Sequence, residues 1–141
     1  MIFDKTLQFS DAQAITATAV STNVIDLGAN DAPHGETAGP ARDIAVGMEI
    51  PLAVQVVETF LTLTSLAIVL QASAAENMSS PTEITIADIA VADLVAGKTL
   101  PYPTFPEGVS GRYMRLNYVV TGSDATAGKI TAGVVAAANS R

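Results

Sequence analysis

The chain has 141 residues, no cysteine, and seven lysines and arginines against fourteen aspartates and glutamates, for a net charge of −7. That length fits one domain with a core that needs no staples, and the missing cysteine excludes disulfides, thiolate catalysis and thiolate metal sites. The cations are scattered from Lys5 to Arg141, so a phosphate-binding surface is disfavoured and no nucleic-acid partner is expected.

Charged residues make up 15% of the chain, against about 25% in an average soluble domain. Apolar residues reach 49% with only 5% aromatic and no tryptophan, and mean hydropathy is +0.38. So few charges mean either an unusually bland surface or one partly covered by partners, and the second is expected. The most apolar run, 52–75, is broken by Gln55, Glu58 and Gln71. A membrane-spanning helix needs about 20 nearly uninterrupted apolar residues, so the run is read as two strands and no membrane partner is expected. The first ten residues lack the basic and apolar regions of a signal peptide.

Residues 1–10 are expected to form an extended arm anchored by Ile2, Phe3, Leu7 and Phe9, packing on its own domain or on a neighbouring subunit. Residues 12–19 and 22–27 follow as short strands, and Gly28 ends the second. Residues 29–43 hold Asn30, Asp31, Pro33, Gly35, Gly39 and Pro40, a loop by composition and a long one. It carries His34, the single histidine, between Asp31 and Glu36. That trio lacks a rigid scaffold and recognised ligand spacing, so no metal is expected.

Residues 49–57 alternate, with Ile50, Leu52, Val54 and Val56 on one face. Residues 66–72 place Leu66, Ile68, Leu70 and Ala72 inward, and 82–88 alternate Ile84 and Ile86 against Glu83 and Thr85. This period of two is the signature of half-buried strands. Residues 89–95 fit a helical turn or a strand. Residues 98–108 interleave Pro101, Pro103 and Pro106 with Leu100, Tyr102 and Phe105, which fits an extended edge or stiff crossover, or a recognition segment. The clearest pattern comes last: Met114, Leu116, Tyr118 and Val120 on one face, then Ile130, Ala132, Val134 and Ala136 after a Gly122–Gly128 loop. It is read as a β-hairpin with a long connection.

Seven or eight strands without a helix of any strength predict an all-β fold, a two-sheet antiparallel sandwich of jelly-roll type. The expected organisation is an arm at 1–10 and a single sandwich domain at 11–141 with the long loop at 29–43. No paired acid and base, nucleophile motif or phosphate-cradling loop can be drawn from the residues. An enzyme is not expected, nor is a cofactor.

Residues 9–29, the stretch Leu-Val-Ala-Gly-Lys at 94–98, and residues 111–122 with 127–133, in that order, resemble the capsid cement, or decoration, proteins of tailed, short-tailed bacteriophages. The resemblance implies a jelly-roll-like fold and a homo-oligomer on the outer surface of an icosahedral virion, made in the cytoplasm of the host bacterium. The implied partners are the major capsid protein and the protein itself, as a homodimer in preference to a homotrimer. Candidate contact residues are Ile2, Phe3, Phe9, His34, Arg42, Tyr102 and Phe105. The competing reading is a carbohydrate-binding jelly-roll module, with Tyr102 and Tyr113 as stacking platforms.

Overall fold

The computed structural model of the protein describes residues 3–40, 43–47, 49–100 and 104–136. Among these, the regular elements are β1 (Phe3–Ala14), β2 (Ala19–Val20), β3 (Ile25–Asp26), β4 (Leu52–Ser73), β5 (Thr82–Ala90) and β6 (Tyr113–Val135), with one 3-10 turn at Val91–Asp93. All pairings are antiparallel, in the order β1-β6-β4-β5, and β2 and β3 also pair with β6.

β4 and β6, at 22 and 23 residues, are several times the usual strand length. They pair in two stretches, 52–58 against 129–134 and 63–73 against 113–122, with repeated register shifts between. At those shifts the ribbon folds over on itself. The apolar faces of both stretches then meet in one core: Val54, Val56, Ile130 and Ala132 from the first, Leu66, Ile68, Leu70, Met114, Leu116 and Tyr118 from the second. A single hydrogen-bonded network thereby makes a two-layer sandwich. The first layer adds β1, and the second adds β5, β2 and β3.

The expected hairpin at 122–128 does not form. Residues 114–120 and 130–135 belong to one strand, and each half pairs with β4, as in Leu116 with Leu70 and Ala132 with Val54. The same bend joins the two strands expected at 49–57 and 66–72 into β4. Gly122 and Gly128 bend the strand rather than reverse it, at φ +89° and +142°. A side chain at either would overlap Thr64 or Phe60 of β4. On β4 the bend is held by Thr62 at φ +77°, a conformation rare for a β-branched residue. The Thr62 hydroxyl donates to the Asp124 carbonyl at 2.7 Å and accepts from the Thr126 amide at 3.1 Å.

The expected arm is extended but not separate: residues 3–10 are the first part of β1, paired with β6. Residues 89–95, open to two readings in the sequence, divide into the end of β5 and the 3-10 turn. Of the proline-rich stretch, residues 101–103 lie outside the described residues, and those on either side run along the start of β4 as an edge. Leu100 N–H donates to the Val54 carbonyl at 2.8 Å and Phe105 N–H to the Ile50 carbonyl at 3.0 Å. The long loop has no regular structure over residues 27–40 and is pinched at its base by a hydrogen bond from the Asn30 side chain to the Pro40 carbonyl.

Candidate docking surfaces

Four of the seven contact candidates fall within the described residues; Ile2, Arg42 and Tyr102 lie outside them. Phe9 is fully buried, Phe105 is 5% exposed, and their rings lie 6.2 Å apart. Both are core residues, so neither is free for a partner. A core this poor in large side chains recruits the aromatic rings it has. Phe3 is half-buried at the start of β1, with its ring over Gly133. His34 is exposed on the loop, as are Asp31 and Glu36. Among the described residues no three His, Cys, Asp or Glu side chains gather as metal ligands. Tyr113, the second candidate sugar platform, carries the Arg112 guanidinium 4.9 Å from its ring centre.

The charges are unevenly placed. Four of the five described cations are held by carboxylates: Lys5 by Asp11, Lys98 by Asp93, Arg112 by Asp26 and Lys129 by Glu58. The fifth, Arg115, donates to the Gln71 side-chain oxygen at 2.6 Å, and Gln71 in turn donates to Glu83. The Arg112 pair is bidentate at 2.7 and 2.8 Å. Its hydrogen bonds to Asp26 hold the guanidinium even more firmly protonated than usual. The Thr6 hydroxyl and amide hold the Asp4 carboxyl below its usual range.

These pairings leave one broad surface nearly neutral. On the second layer, β4 residues opposite the core face are Ser65 and Ala67, both half-buried, and Val69, Gln71 and Ser73, which are buried. Their registered neighbours are Thr121, Val119, Asn117, Arg115 and Tyr113 on β6, and Ala90, Asp88, Thr85 and Glu83 on β5. Val20, 40% exposed, extends the row through its pairing with Asn117. The Arg115–Gln71–Glu83 chain crosses three strands of this face, so its charges are satisfied within the molecule. Asp88 is the one carboxylate of these registered rows that no hydrogen bond or ion pair holds among the described residues. A second apolar spot lies at the bend, where the backbone of residues 94–98 runs beside 56–60. It exposes Val57, Leu61 and Val95 by 45%, 53% and 48%.

The alternation in the sequence itself puts Val57, Ala67 and Val69, all apolar, on the outward side of their strands. Leu61 and Val95 carried no such signal, because the bend that exposes them depends on pairings distant in sequence.

The edges of the sandwich differ. β1 is tied to the segment after β2: the Asn23 amide donates to the Phe9 carbonyl at 3.0 Å and its side chain to the Gln8 carbonyl at 3.1 Å. Gln13 accepts from the Ser10 hydroxyl at 2.7 Å and the Thr22 amide at 2.9 Å, and donates to the Val20 carbonyl at 2.8 Å. Ser10 also shares a buried 2.8 Å hydrogen bond with the Tyr118 hydroxyl. Burial pushes the Tyr118 phenol up from its ordinary pKa, and the Ser10 bond only partly offsets this.

No curated protein matches the chain. The model of the family described as Bbp16 matches residues 9–134, nearly the whole sandwich and every stretch on which the sequence resemblance rests. The protein is thus a member of the Bbp16 family.

Proposed function

We propose that this protein is a capsid cement of a tailed bacteriophage, seated on the outer surface of an icosahedral shell and bridging neighbouring major capsid subunits. The observation that carries the reading is the outer face of the second layer: built largely of small neutral side chains, with Arg115 and Glu83 linked through Gln71 and Asp88 the one carboxylate left unheld among the described residues. Away from Asp88, such a face can be covered by a neutral protein surface without stranding unpaired charge, the usual cost of burying ions. A specific contact of this kind covers on the order of 1,200–2,000 Å². An oligomer engaging several sites gains further through effective concentration. Binding only the assembled lattice, the protein stabilises that state by mass action. The working form is a homodimer, and the protein acts by adhesion with no catalytic step.

The test is addition of purified protein to mature shells of its own virus. Saturable binding and a raised shell melting temperature are expected. Ala67→Lys and Val119→Lys, both at half-buried outer positions, should leave the isolated protein's melting temperature unchanged and weaken shell binding at least about tenfold. Absence of binding by the natural protein, or full binding by both variants, would overturn the reading.

A further inference from the structure

Among the described residues, β5 has no backbone partner on its outer side. It pairs with β4 alone, and no other backbone hydrogen bond reaches residues 82–90 among the described residues. About half of its N–H and C=O groups therefore face solvent, along an edge of roughly 30 Å. Elsewhere the edges are tied: β1 to Asn23, the start of β4 to residues 97–100 and 104–105, and β6 to β2 and β3.

Natural edges of this kind are blunted by shortness, charged side chains (lysine above all), proline, bulges or a covering segment, and of these β5 has two carboxylates and one bulge. β5 has nine residues, Thr-Glu-Ile-Thr-Ile-Ala-Asp-Ile-Ala, with neither lysine nor proline. Its single irregularity is a register shift opposite Ile68 and Val69. The edge is thus open, long and rich in β-formers.

We infer that a second copy of this chain docks there, β5 against β5 in antiparallel register, extending the second layer from one molecule into the next. The inference rests on the homodimer named above and assigns its contact. The side-chain pattern supports a second copy. Ile84, Ala87 and Ile89 register with core-facing β4 residues, whereas Glu83, Thr85, Asp88 and Ala90 register with outward ones. A self-pairing that sets Asp88 against the second copy's Asp88 is excluded as acid upon acid; two further antiparallel self-pairings keep these faces matched along the strand. One sets Glu83 against the second copy's Asp88, acid upon acid, which is destabilising. The other sets Glu83 against the second copy's Ala90, Thr85 against its Asp88 and Ile84 against its Ile89. No carboxylate then lies directly opposite another, and the isoleucines meet beside a hollow of about 510 Å³ lined by Ile89 and Leu100. The charges select the second pairing. Its two-fold axis stands perpendicular to the sheet, so the neutral outer faces of the two copies join into one surface.

The experiment uses the isolated protein, without shells, so its outcome is separate from that of shell binding. The chain has no natural cysteine. The double variant Thr85→Cys/Asp88→Cys should form a disulfide-linked dimer on mild oxidation, and either single variant should not. In the cysteine-free protein, Thr85→Lys should tighten the dimer and Thr85→Glu weaken it, each by roughly two- to thirty-fold for two cross-strand pairs. Hydrogen exchange should show β5 amides protected at concentrations where light scattering shows a dimer. A monomer at all concentrations would overturn the proposal. So would a dimer that fails to cross-link through positions 85 and 88, cross-linking through 83 and 88 instead, or β5 protection that arises only when shells are added.

Discussion

The two end strands of the sheet path are treated in opposite ways. β1 is held on one side by β6 and on the other by Asn23 and the Gln13 network, and it sends Phe9 into the core. β5 is held on one side only. The closed edge serves the monomer, and its Gln8 and Phe9 carbonyls are bonded within it. The open edge gives the monomer no hydrogen bonds on its outer side, and is the place where the molecule can grow.

Substitutions on the two edges should therefore differ in kind. The largest effect is expected from Phe9→Ala, which removes a fully buried ring that touches Phe105. A loss of about 3–5 kcal/mol in urea unfolding is expected, and a loss under 1 kcal/mol would show that β1 is not anchored by the core. Gln13→Ala should follow, at about 1–2 kcal/mol. Its mark should be faster amide exchange in β1 and residues 19–23 but not in β5; equal acceleration in both would erase the distinction between the edges.

Tyr118→Phe removes the buried link between β1 and the second layer, at about 1 kcal/mol near neutral pH. The pH dependence sharpens this. The native phenol keeps its proton to higher pH than usual, whereas the unfolded chain releases it near pH 10. Stability from this group is complete below that value and declines as pH rises towards the native pKa. Above about pH 10 the natural protein should lose its advantage over Tyr118→Phe, by up to about 1.4 kcal/mol per pH unit. A constant difference from pH 7 to 11 would contradict the burial of this hydroxyl. The smallest effect belongs to the open edge: Thr85→Lys should change monomer stability by less than about 0.5 kcal/mol, measured at concentrations too low for association.

The strand faces were legible in the sequence because alternation is local. Leu66–Ile68–Leu70–Ala72 and Met114–Leu116–Tyr118 point inward as their spacing implies. The bend was not legible. Gly122 and Gly128 signal a change of direction, but whether a strand reverses or folds over depends on the partner, and that partner is β4 with Thr62 at positive φ. Two of the seven contact candidates are core residues for a related reason. Phe9 and Phe105 stand among polar residues and prolines, which suits an exposed position when read locally. They are buried because strands distant in sequence enclose them. The neutrality of the outer face was half visible: the outward valines and alanines show in the pattern, but the Arg115–Gln71–Glu83 chain exists only once three strands are in register.

β6 pairs with β1, β2, β3 and β4, yet it follows all of them along the chain. On the ribosome, only the β4–β5 hairpin can form before it emerges; the rest has no template. Maturation of the fold is therefore a late and largely concerted event. Topologies closed by such distant pairings assemble slowly. Nascent copies would pass through an interval in which β1 and β4 are exposed without their partner, and that interval is when chaperone capture or aggregation competes with folding.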